Sequence, residues 1–157
     1  MNMVSGAKAA LTRIRTRSWE HRPDTTATDG VRVLLYHHVI ENSGSLAVYP
    51  SEFRRQMGHL AKKGYHGIDV VTALDSLYND RLEPKSIAIT FDDGFTDVKD
   101  HALGVLAELG FSATVFVTIG ATDGSLRYSW APKDTTLTWE DICRLDAEGS
   151  FALCRTA

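Results

Sequence analysis

Short apolar runs rich in β-branched residues alternate along this chain with stretches of helical periodicity, and this alternation restricts the fold more than any other feature. Val31–Tyr36, Tyr65–Val70, Ser86–Phe91 and Ser112–Ile119 read as strands. Between the first two, Ser51 reads as a cap for a helix that places Phe53, Met57 and Leu60 on one face, with Lys62 and Lys63 at its carboxyl end and Gly64 as its stop. Thr72 and Asp75 predict the start of a second helix through Leu74, Leu77 and Tyr78. A third is expected over Asp97–Leu109, with Val98, Ala102, Val105, Leu106 and Leu109 inward and Gly110 as its end. A loop with Gly120, Gly124, Trp130 and Pro132 then leads to a last helix, capped by Thr138 and Asp141, carrying Trp139, Ile142 and Leu145 and closed by Gly149. Strands that alternate with helices pair in parallel, through right-handed crossovers.

The 157 residues have room for one domain with a sizeable core. A net charge of -3 gives no reason to expect nucleic acid as a partner. Residues 1–30 read as a basic, poorly ordered leader ending in a polar connection, and residues 31–157 as the domain. Arg13, Arg15 and Arg17 offer charge to an anionic surface, but few apolar residues accompany them. No apolar run is long enough to be a signal-peptide core or a membrane span, so a cytoplasmic location is expected. Cys143 and Cys154 form no metal-type pair, and Cys143 is expected in the core.

Chemistry is expected where parallel strands end, because ligands of α/β proteins bind at the carboxyl edge of the sheet. The third strand ends in Asp92-Asp93-Gly94 and the first in His37-His38. Neighbouring strand residues point to opposite faces, so the two aspartates need not share a task. One can hold a cation while the other handles a proton. The competing readings are a solvated Asp-Asp-Gly turn and histidines that merely hydrogen-bond at a strand end. If the strands are parallel, at least one histidine and both aspartates share a pocket. His21, His59, His66 and His101 read as leader, helix-surface or loop residues.

Thr90-Phe91-Asp92-Asp93-Gly94 resembles the first motif of the polysaccharide deacetylase family, the NodB-homology domain of carbohydrate esterase family 4. The flanks resemble that family in order. Leu35-Tyr36-His37-His38-Val39 is similar to its first strand end, and Phe53…Leu60…Gly64-Tyr65 to its first helix and turn. Asp97…Leu106…Gly110 through Val117 resembles the helix and strand after the motif, and Leu137–Ile142 with Leu145–Gly149 the helix before its second motif. The resemblance spans roughly Val31–Gly149 and implies a metal-dependent hydrolase that removes N-acetyl groups from amino-sugar polysaccharides. By that resemblance Asp92 is the general base, Asp93 a ligand of a divalent cation such as zinc, and His37 and His38 lie near the site.

The sequence departs from the family pattern at its carboxyl end. The family sets two histidines four apart, His-(Ser/Thr)-x-x-His, shortly after the position of Gly149. Here the residues are Ser150-Phe151-Ala152-Leu153-Cys154-Arg155-Thr156-Ala157, and no histidine lies beyond His101. Four strands and a fifth at Phe151–Leu153 are fewer than the roughly seven of the family's distorted (β/α) barrel. The expected fold is therefore an incomplete, parallel (β/α) barrel with unpaired apolar edges. The expected chain is the amino-terminal part of a deacetylase domain, truncated before the histidine motif and weak or inactive as it stands. Two other readings compete: a non-catalytic remnant or carbohydrate-binding module of the same fold, and a magnesium-dependent phosphotransfer domain. The latter should show a Lys at a strand end, and none follows Phe116–Ile119 before the loop.

Overall fold

A computed structural model describes residues 30–41, 46–129, 135–148 and 151–156, the last stretch as backbone. In chain order the elements are β1 (Arg32–Tyr36), β2 (His38–Val39), β3 (Ala47–Val48), α1 (Pro50–Lys62), β4 (His66–Ile68) and α2 (Val70–Tyr78). They continue with β5 (Ser86–Phe91), a π-helical turn over Val98–Ala102 that runs into α3 (Leu103–Glu108), β6 (Ala113–Thr118), α4 (Ile119–Thr122), α5 (Trp139–Glu148) and β7 (Phe151–Thr156). The basic leader, Gly44, Trp130, Pro132 and the stop at Gly149 lie outside the described residues.

The alternation yields a five-stranded, wholly parallel sheet in the order β1-β5-β6-β7, with β4 also on β5. β1 pairs along β5 from Arg32↔Ile87 to Tyr36↔Phe91. The other flank of β5 is shared: β4 covers Ser86–Ala88 and β6 covers Thr90 and Phe91. Every residue of β5 is buried, as a strand covered on both faces should be. Ile87, Ile89 and Phe91 join Phe53 and Met57 of α1, Val98 and Ala102 of the π turn, Val105 and Leu106 of α3, and Val115 and Val117 of β6 in one core. The alternate residues Ala88, Thr90 and Thr114 belong to the opposite face, where the Val70 amide donates to Thr114 Oγ1 at 2.9 Å and α2 buries Ala73.

Several local expectations are corrected. α1 begins at Pro50 with Tyr49 as its cap, not at Ser51, because proline's preset φ and missing N–H suit the first helical position. The cap of α2 is Asp69, whose carboxylate accepts from the Thr72 amide at 2.8 Å and from Thr72 Oγ1 at 2.6 Å, so the preceding strand ends at Ile68. Leu74, Leu77 and Tyr78 are exposed, since α2 turns small Ala73 to the sheet. His38 is not the end of β1 but part of β2, which pairs in parallel with β3 inside a stretch read as loop. Cys143 is exposed on α5 rather than in the core. The fifth strand runs to Thr156, in full register with β6.

The expectation of an unclosed sheet holds: among the described residues β1 pairs only with β5 and β7 only with β6. Val33 and Leu35 of β1 are 56% and 57% exposed. No described helix is long and apolar enough to cross a membrane.

Candidate active site

The carboxyl ends of β1, β5 and β6 form one rim. The Asp92 amide donates to Tyr36 O at 2.9 Å, which extends the β1–β5 ladder one residue past Phe91. Asp92 is half-buried, and burial is the main reason its carboxyl sits above the ordinary range. His37 pulls in the other direction, while the neighbouring Asp93 charge adds to the rise. His37 is thus within electrostatic reach of Asp92.

Asp93 and Gly94 both take the left-handed backbone, each with φ of 65°. Aspartate tolerates that region better than most residues, and glycine enters it freely. A Cβ on Gly94 would also stand 3.3 Å from Val117 Cα, so the turn needs glycine for space as well as for φ. The turn is pinned from outside. The Leu137 amide donates to Gly94 O at 2.8 Å, and the Thr96 amide to Thr135 O at 2.7 Å. Asp93 Oδ1 accepts from the Tyr128 hydroxyl at 2.8 Å, and the same phenol oxygen lies 2.9 Å from Thr118 Oγ1 at the end of β6.

His38 is occupied elsewhere. Its Nδ1 lies 2.5 Å from Asp97 Oδ2, its ring stacks on Phe95 with centroids 3.9 Å apart, and Asp97 Oδ1 accepts from the Val39 amide at 3.0 Å. Asp97 is buried there, so its carboxylate braces β2 instead of capping the helix that follows it. Asp92 and Asp93 thus stand at the rim with His37 in electrostatic reach of Asp92, while His38 is engaged by Asp97 and Phe95. His59, His66 and His101 are exposed. Tyr128, Thr118 and Asp97 are the participants that sequence reasoning missed. Asp97 reads as an ordinary helix start, and Tyr128 sits in a loop without periodicity.

A catalytic zinc is ordinarily held by three protein ligands and a water. Among the described residues no three His, Cys, Asp or Glu side chains stand close enough to hold an ion. The described residues alone therefore do not fit a complete metal centre.

Residues 79–154 match the family model described as polysaccharide deacetylase. The curated protein "Putative polysaccharide deacetylase YxkH" of Bacillus subtilis (strain 168) is 37% identical over 92 residues, covering 58% of this chain and 33% of that protein. The structure of IcaB from Ammonifex degensii superposes with a TM-score of 0.65 at 28% identity, over 81% of this chain and 52% of that one. A de-N-acetylase from Aggregatibacter actinomycetemcomitans reaches 0.70 at 17% identity, over 80% of this chain and 53% of that one, a likeness of fold. The chain spans about a third of the curated relative and about half of these two solved structures. The matched segment takes in β5 with its Asp92-Asp93-Gly94 end, β6 and Tyr128, and over this part the chain is similar to the polysaccharide deacetylase family.

Proposed function

We propose that this chain carries part of a hydrolytic centre that removes N-acetyl groups from an amino-sugar polysaccharide. The observation that carries the reading is the Asp92–Asp93 pair at the carboxyl rim of a parallel sheet, with His37 alongside. Asp92 is the proton acceptor: a half-buried carboxyl held above its usual range is a better base than an exposed one. It takes a proton from the attacking water, whose oxygen adds to the acetamide carbonyl carbon. The proton held on Asp92 passes to the leaving nitrogen as the C–N bond breaks, and acetate and the amine depart. Asp93 is the carboxylate offered to a divalent cation, zinc by family resemblance. Since the described residues do not complete a cation site, no step is routed through one.

From the described residues alone, acetate release is weak or absent. A second reading is a carbohydrate-binding module of the same fold without the chemistry, since no three-ligand group stands among the described residues.

Amide NMR of the full chain titrated with chitotetraose tests the site. Perturbations are expected at His37, Asp92, Asp93, Gly94 and Thr118, and perturbations confined to other surfaces would overturn the placement. Any acetate released should vanish in Asp92→Asn while the binding pattern stays. Release unchanged in that variant would remove Asp92 as the base. Binding with no release from either protein favours the second reading.

A further inference from the structure

We propose that Tyr128 is a positioning residue for Asp93, fixing the rotation of its carboxylate by holding Oδ1. The inference deepens the proposed function and rests on the reading of Asp93 as a working carboxylate. A phenol has one proton to give, and an ionised carboxylate has none. With Asp93 Oδ1 at 2.8 Å and Thr118 Oγ1 at 2.9 Å, the Tyr128 proton goes to Asp93 and the Thr118 hydroxyl donates to the phenol oxygen. The relay therefore has a direction, from Thr118 to Tyr128 to Asp93. A charge-assisted bond of this kind is roughly twice as strong as a neutral one.

The tyrosine is itself held. Its ring packs against Phe95 with centroids 5.6 Å apart, and Phe95, fully buried, is stacked on His38. The segment leading to it folds back on α4, with the Leu126 amide donating to Gly120 O at 2.7 Å and the Ser125 amide to Asp123 Oδ1 at 2.8 Å. A Cβ on Gly120 would meet Leu126 Cβ at 3.0 Å, so the return packs closely on the glycine at its base. Thr118 ends β6 and Asp93 follows the end of β5, so the relay bridges two adjacent strand ends of the rim. Among the described residues the hydrogen bond to Asp93 falls on Oδ1, which leaves Oδ2 for a ligand. Partners that orient a functional carboxylate in this way commonly change ligand affinity by about 10–100-fold when removed.

The test uses the full chain with ¹³C-labelled aspartate carboxyl carbons, the Asp93 signal being identified by its loss in Asp93→Asn. In Tyr128→Phe that signal should move and broaden while the urea midpoint stays near wild type. Thr118→Val should shift it in the same direction, and Thr118→Ser should restore it. An Asp93 signal of wild-type position and width in Tyr128→Phe would overturn the proposal. Chitotetraose is the second probe: Tyr128→Phe should bind it more weakly than wild type, and equal affinity would count against Tyr128. A wild-type chain that binds no chitotetraose tells against the proposed function, while the carbon signal still decides the role of Tyr128. If Tyr128→Phe does not fold, the Thr118 pair decides the same question.

Discussion

The Asp92-Asp93-Gly94 turn shows how few residue choices its position allows. Two successive left-handed residues reverse the strand end, and Val117 closes the space beside the second. Gly94→Ala meets both constraints at once, strained φ and a backbone contact. It should lower stability by about 1–3 kcal/mol, read as a reduced urea midpoint. A midpoint equal to wild type would mean that the turn can relax without loss. The aspartates themselves were legible in the sequence, because an apolar strand that stops at two carboxylates has few places to put them other than the sheet edge. The division between His37 and His38 was not legible. It depends on Asp97, which is distant from His38 in the chain and adjacent to it only once β2 has formed.

At the scale of elements, the order of strands and helices was readable because the two periodicities differ and glycines mark several boundaries. The caps were less so. Asp69 and Thr72 are both good capping residues, and only the strand's length decides between them. The face that α2 buries departs from expectation for a similar reason: the pattern identifies an apolar side, while the packing partner selects Ala73. The α5 cap did follow the sequence, as Thr138 Oγ1 accepts from the Asp141 amide at 3.1 Å and Asp141 Oδ2 accepts from the Thr138 hydroxyl at 2.9 Å.

Asp141 also receives the Lys99 ammonium at 2.9 Å, and that hydrogen bond is the first cause of a carboxyl lowered to about 2. A carboxyl lowered on folding stabilises above its unfolded value, near 3.8, and loses that contribution as pH falls toward the folded value. Asp141→Asn should therefore cost about 1 kcal/mol at neutral pH. The gap to wild type should narrow between about pH 4 and pH 2 in urea titrations. A gap that stays constant across that window would remove the ionised carboxylate from the account.

For the molecule as a whole, the main fact is an open parallel sheet with apolar residues at its β1 margin. Val33 and Leu35 are more than half exposed on a strand with one described neighbour. Open margins of this kind template pairing with other chains, and a charge placed on them suppresses it. Light scattering of the chain should show association that grows with concentration and falls in Leu35→Lys. A wild-type chain that remains monomeric throughout would show that the margin is covered in solution. That the described sheet stays open was legible from the number of strand-like runs. The relay that holds Asp93 was not, since Tyr128 lies in a loop whose sequence carries no period to reveal where it returns.

The shared flank of β5 gives this arrangement its anchorage. With β1 along one side and β4 and β6 dividing the other, β5 is clasped by segments from before and after it in the chain. Fraying at the β7 margin therefore leaves this rail untouched, whereas loss of β1 would bare one side of it and release the Asp92 amide from Tyr36 O.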